Sequence, residues 1–207
     1  MSAASNAVQT HLTIKLLAAM ALLFLVCYPL RAQQQDLRLE FSPANTAVNF
    51  TLGDILHTVH GSFKLKHGDA EYNFATRAVH GALVIDATSG QSGNHSRDHK
   101  MHREILESDK YPEIIFRPDH VDGDVSPAGT STVQVHGMFS IHGSDHEVTL
   151  PMRIEMSPSH WVADTHFTIP YVKWGLKNPS TLFLRVSESV EIDIHATGAN
   201  PFVTAAR

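Results

Sequence analysis

The side chains with the widest chemical scope in this sequence are its histidines, 15 in 207 residues beside a single cysteine, Cys27. Three of them share a helical spacing. His95, His99 and His102 stand at i, i+4 and i+7, so a helix through them presents all three on one face. Imidazoles one turn apart can chelate zinc or a similar divalent ion. The same three can equally form a solvated polar face, because no recognised metal signature sets a carboxylate beside them. His95 also precedes Ser96, which reads as the helix cap. His142 and His146 flank a glycine-containing turn, where a turn hydrogen bond is the simplest role for His142. His57 and His60 read as surface or rim residues on or beside a strand. So many imidazoles make the chain's charge sensitive to pH between about 5 and 8.

Catalytic signatures are missing in contiguous form. There is no G-x-S-x-G elbow, no H-E-x-x-H and no glycine-rich phosphate loop. Serine, histidine and aspartate are abundant, so a triad assembled in space stays open. A hydrolase of that kind and a histidine-mediated metal-binding protein are therefore alternatives to a binding protein that is no enzyme and needs no cofactor.

These residues sit in a chain whose first part differs from the rest. Lys15 is the only formal side-chain charge before Arg31, and Leu16–Leu30 is almost wholly apolar. A run of that length is short of the roughly 20 residues that span a bilayer. It has the form of a secretory signal, with Pro29 breaking the helix before cleavage after Ala32. An uncleaved anchor is the alternative, and cleavage leaves no stable membrane span. The expected division is a signal peptide over 1–32 and one β domain over 33–207. Phe24, Leu25 and Val26 are too bulky for a lipoprotein signal at Cys27, so the exported chain has no disulfide and no thiolate chemistry. Its core must stabilise it alone. Without Lys15 and Arg31 the chain keeps 14 basic residues against 21 acidic ones, a net charge near −7. That argues against nucleic acid and anionic lipid surfaces as partners.

The exported part alternates apolar and polar residues with a period of two. Val48, Phe50 and Leu52 share a face, as do Val79, Leu83 and Ile85, and Val190, Ile192 and Ile194. Val148, Leu150, Met152, Ile154 and Met156 form the longest such series. Pro151, on the polar side, predicts a bulge or a locally unpaired position. Only Ser96–Ser108, with Met101, Ile105 and Leu106 at helical spacing, predicts a short amphipathic helix of about three turns. Ile114 and Phe116 then open another strand. Many one-sided strands and one helix predict a single antiparallel sheet curled into a barrel of about eight strands. That number either fills the interior with side chains or leaves room for one ligand.

Four stretches together resemble the YceI-like family. They are the segment SPANTAVNFTLGDILHTVHGSF up to Phe63; Arg97-Asp98 with Met101, followed by Lys110-Tyr111-Pro112-Glu113-Ile114-Ile115-Phe116; Val135 to Gly143 (VHGMFSIHG) with Val148-Thr149-Leu150; and Pro170 to Leu176 (PYVKWGL). The likeness covers about residues 37–198. It implies an all-β, lipocalin-like antiparallel barrel, exported to the periplasm, whose apolar interior holds a polyisoprenoid or similar amphiphilic chain. Pro118 and the abundance of histidine near the helix depart from the common pattern. Under this reading the expected cavity lining is Phe50, Leu52, Leu83, Ile85, Phe116, Leu150, Met152, Ile154, Ile192 and Ile194. Withdrawing a long apolar ligand from water onto such a wall gains about 25 cal/mol per Å². The other outcome is that these side chains pack on one another. Oligomeric state is not legible in the sequence.

Overall fold

Each alternating segment forms a strand. The computed structural model describes residues 36–53, 58–181 and 185–204. The expected signal peptide, Cys27 and His57 lie outside them. Nine strands are described: β1 (Leu37–Phe41), β2 (Thr46–Gly53), β3 (Thr58–Tyr72), β4 (Val79–Gln91), β5 (Glu113–Asp122), β6 (Gly129–Ile141), β7 (Ser144–Met156), β8 (His160–Ile169) and β9 (Val190–Ala199). Helix α1 (His95–Lys100) runs into a π-helical turn, Met101–Ile105, and α2 is the short Pro201–Thr204.

Every pairing is antiparallel, and β3 pairs with β4 to close the sheet. Strands β1 and β2 occupy one edge of β3 end to end, β1 against Gly68–Tyr72 and β2 against Thr58–Phe63. The ring therefore has eight positions, the expected closed antiparallel barrel with one short helix. Its interior face carries the core, including Leu37, Leu65 and Trp161, each about 2 % exposed. Cross-strand glycines make room for two large rings. Trp161 lies opposite Gly198, and Phe50 opposite Gly61. A Cβ on Gly198 would stand 2.5 Å from the Trp161 indole nitrogen, and one on Gly61 2.2 Å from Phe50 Cζ.

Both prolines flagged in the sequence mark irregularities. Pro118 is buried opposite Gly137, and the register slips between Pro118 and His120. Proline has no N–H for the ladder, and a bulge is one of the few places a strand accepts it. Pro151 sits where β7 stops pairing with β8, whose register covers only Met152–Met156 against Trp161–Thr165. Its carbonyl accepts a hydrogen bond from Thr165 Oγ1 at 2.7 Å. Beyond this point β7 and β8 part. Trp174, from the segment that follows β8, stacks on His146 of β7 at 4.1 Å and meets Phe139 at 5.8 Å.

The helix is capped two residues earlier than the sequence suggests. Asn94, not Ser96, is the cap, its side-chain oxygen accepting from Arg97 N at 3.1 Å. The first six residues are α-helical and the rest form a π turn, in which Leu106 N bonds Met101 O at 2.8 Å. That turn changes which side chains share a face.

Candidate ligand-binding chamber

The barrel interior is divided. At the helix end lies a chamber of about 470 Å³, and at the other end a void of about 90 Å³. Ile85, Phe139, Phe167 and Ile194 line both, so they form the partition between them. The Phe139 and Phe167 rings meet edge to face, with centroids 6.3 Å apart. The chamber wall is apolar and comes from β2, β3, β4, β5, β6, β8 and β9. Val48, Phe50 and Leu52 line it beside Phe63 and Ile192 of the two neighbouring strands, with Ile141 and Ile169 from β6 and β8. Phe50 leans on Phe63 at 5.4 Å, in the room that Gly61 leaves.

Two segments cover the open end. One is the helix, which contributes Met101, Ile105 and Leu106. The other is the chain after β8, which contributes Tyr171, Leu176, Pro179 and Val186. Lys100 Nζ ties the two, donating to the Pro179 carbonyl at 3.2 Å. The Arg97-Asp98 pair anchors the helix to the end of β4. Arg97 donates to Ser92 Oγ at 2.7 Å and to the Ser92 carbonyl at 2.8 Å, while Asp98 accepts from Ser92 N at 2.8 Å and from the Ser92 hydroxyl. Polar groups gather only on this side: Ser92, Ser96, Arg97, Lys100 and Thr181 line the chamber at its covered end. The chamber thus has a dry wall and one end bearing two cations.

Tyr171 is the ionisable group set deepest in this cover, 5 % exposed, with its hydroxyl donating to the Ser187 carbonyl at 2.6 Å. Burial, reinforced by the negative charge of Glu188, pushes its pKa up to about 12. It is held neutral and offers no base at ordinary pH.

The ten side chains expected to line a cavity divide between the two spaces. Phe50, Leu52, Ile85, Ile192 and Ile194 line the large chamber. Leu83, Phe116, Leu150, Met152 and Ile154 line only the small void, where they pack against β1 and one another. Alternation identifies the inner face of a strand but not the depth along the barrel axis. The helix and the segment around Tyr171 and Leu176 line the chamber in addition to the expected strand residues. In the sequence, the apolar Met101, Ile105 and Leu106 are the signal for the helix's share of that wall.

The structure does not assemble the three helical histidines. His95 and His99 are exposed, and His102 is turned toward the end of β4. His102 Nε2 donates to the Gly90 carbonyl at 2.8 Å, and its Nδ1 accepts from Ser108 Oγ at 3.1 Å. This serine–histidine pair has a main-chain carbonyl where a triad needs a carboxylate. Ser108 is only 3 % exposed, and neither residue lines the chamber. His142 also acts differently from its expected role. His142 and Gly143 both have positive φ, +52° and +75°, in the two-residue turn from β6 to β7. Its Nε2 has no hydrogen-bond partner, and the ring lies 4.6 Å from that of Tyr111. His60 is exposed on β3, within 3.1 Å of Thr51 Oγ1.

A closed antiparallel barrel with an apolar chamber at one covered end is a lipocalin-like fold. The YceI-like domain profile matches residues 39–198, and the chain belongs to that family. Three solved structures share the fold. Burkholderia cenocepacia BcnA is 16 % identical, covers 74 % of this chain and 96 % of its own, and superposes with a TM-score of 0.61. A polyisoprenoid binding domain from Saccharophagus degradans is 14 % identical over 79 % of this chain and 98 % of its own, with a TM-score of 0.56. The Campylobacter jejuni YCEI protein is 15 % identical over 70 % of this chain and 86 % of its own, with a TM-score of 0.57. A comparison with curated proteins finds no match. Among the described residues no helix is long and apolar enough to cross a membrane.

Proposed function

We propose that this chain is an exported, non-catalytic carrier that holds the apolar tail of a polyisoprenoid or similar amphiphile in the chamber. Its polar head lies beside Arg97 and Lys100. The observation that carries this reading is the asymmetry of the chamber: apolar wall and partition throughout, cations at the covered end. Its volume, about 470 Å³, falls in the range of small-molecule sites. The family membership and the name of the Saccharophagus degradans neighbour support the choice of an isoprenoid tail.

Export rests on the apolar run Leu16–Leu30, and the mass of the protein recovered from outside the cytoplasm tests it against cleavage after Ala32. For the ligand, purified protein is examined by native mass spectrometry before and after organic extraction, then titrated with farnesol and farnesyl phosphate. The expected result is one extractable lipid per chain and tighter binding of the phosphate. That preference shrinks in Arg97→Gln and Lys100→Gln, while farnesol affinity stays the same. Protein that is always recovered empty and binds neither probe refutes the carrier reading.

A further inference from the structure

The outer wall of the barrel, behind the small void and away from the covered end, brings together His120, Asp122 and His136. Their nearest ligand atoms all lie within 4.8 Å of one another. The bulge in β5 creates this grouping. Phe116 and Pro118 are buried, Asp119 and His120 are both exposed, and Val121 is buried again. Without the extra residue, strict alternation would turn His120 into the barrel. With it, His120 stands outside, directly opposite His136 on β6, and Asp122 follows on the same face.

The three side chains are close together and each ring is tied to a neighbouring group. The imidazoles of His120 and His136 lie parallel, with centroids 4.1 Å apart and planes 6° apart. His136 Nε2 is 2.9 Å from Asp122 Oδ2. The other nitrogen of each ring is already engaged. His120 Nδ1 pairs with the Asp119 carboxylate, and His136 Nδ1 lies 2.9 Å from Thr149 Oγ1 on β7. Ligating histidines characteristically have this second partner, which orients the ring and leaves Nε2 free to coordinate. A hydroxyl such as that of Thr149 can donate to Nδ1 or accept from it. It therefore serves both the ion-free ring, whose proton lies toward Asp122, and a ring whose Nε2 has turned to a cation.

We propose that His120 Nε2, His136 Nε2 and an Asp122 carboxylate oxygen form a binding site for an imidazole-seeking divalent cation of the zinc class. Three protein donors leave the fourth tetrahedral position to water or an external ligand. Zinc–nitrogen bonds of about 2.0–2.1 Å lie in the plane of each imidazole, so binding requires the two rings to tilt out of their parallel stack until both Nε2 atoms point at one ion, roughly 3.3 Å apart. The carboxylates of Asp119 and Asp122 supply negative charge at the site. Other exposed His–Asp pairs lack these features. At His195–Asp164, for example, the Arg153 guanidinium is 3.8 Å from the carboxylate and opposes a cation.

The test is calorimetric titration of the untagged full chain with Zn²⁺, alongside His120→Ala, His136→Ala, Asp122→Asn, Thr149→Val and His99→Ala. All five changes are at side chains outside the core, and thermal unfolding without zinc confirms that each variant is folded. The expected result is one saturable site per chain, weakened at least about ten-fold by the first three changes. Thr149→Val weakens it by about 10-fold, the scale of losing a ligand's orienting partner. His99→Ala leaves it unchanged. No saturable site in the wild type, or equal affinity in the wild type and in His136→Ala, overturns the proposal. So does a site lost in His99→Ala.

Discussion

Replacing Phe167 by alanine removes half of the aromatic partition between the chamber and the small void. The two spaces, about 470 and about 90 Å³, then join through the volume the ring vacates. Phe167 is 8 % exposed, and its removal leaves a cavity in the empty protein. Such a change costs about 3–5 kcal/mol of stability, which a domain of ordinary stability survives with little margin. The ligand gains what the protein loses. One further isoprene unit has five carbons, and burying them gains up to about 4 kcal/mol at ~0.8 kcal/mol each. Ordering the added rotors returns about 2 kcal/mol, leaving roughly 30-fold in affinity for the longer chain. The assay is native mass spectrometry with an equimolar series of prenyl alcohols, from farnesol upward, on wild type and variant. The preferred length moves up by about one unit in Phe167→Ala and by less in Phe167→Leu. An unmoved preference, or equal weakening at every length, refutes the view that Phe139 and Phe167 form the end of the chamber.

Three further outcomes follow from the packing and the titrating groups. Gly198→Ala drives a Cβ into the Trp161 indole and lowers stability by about 1–3 kcal/mol, read from the urea midpoint. An unchanged midpoint contradicts the Trp161–Gly198 packing. The pKa of Tyr171 is raised to about 12 in the folded chain, so the folded state retains that proton at pH values where the unfolded chain has lost it. Its contribution is complete below about pH 10 and is lost as pH rises toward 12, so Tyr171→Phe flattens the fall in urea midpoint between about pH 10 and 12. Asp86 is held below the ordinary carboxyl range, chiefly by the Thr88 hydroxyl at 2.6 Å. Its contribution is present above about pH 4 and lost as pH falls further, so Asp86→Asn lowers stability at pH 7 and shallows the acid limb of the stability profile.

Residue types and spacing alone determined much of this protein. The two-residue period of Val48–Leu52 and Val148–Met156 established which faces are dry, and the sheet could bury so many one-sided strands only by closing. The prolines at 118 and 151 marked where pairing fails, because a missing N–H is a local property. The existence of the helix was equally legible in Met101, Ile105 and Leu106. Tertiary structure decided what no spacing encodes. Depth along the barrel separated Ile192, at the chamber, from Leu150, at the packed end, although both alternate identically. His102 turns to the Gly90 carbonyl of β4 and to Ser108, while His95 and His99 stay exposed, so the three do not gather. In their place, a one-residue bulge reversed the parity of β5 and set His120 beside His136, 16 residues away in sequence but adjacent across the ladder. Periodicity reports direction within one strand, whereas a chamber or a ligand cluster depends on which strands meet and in what register.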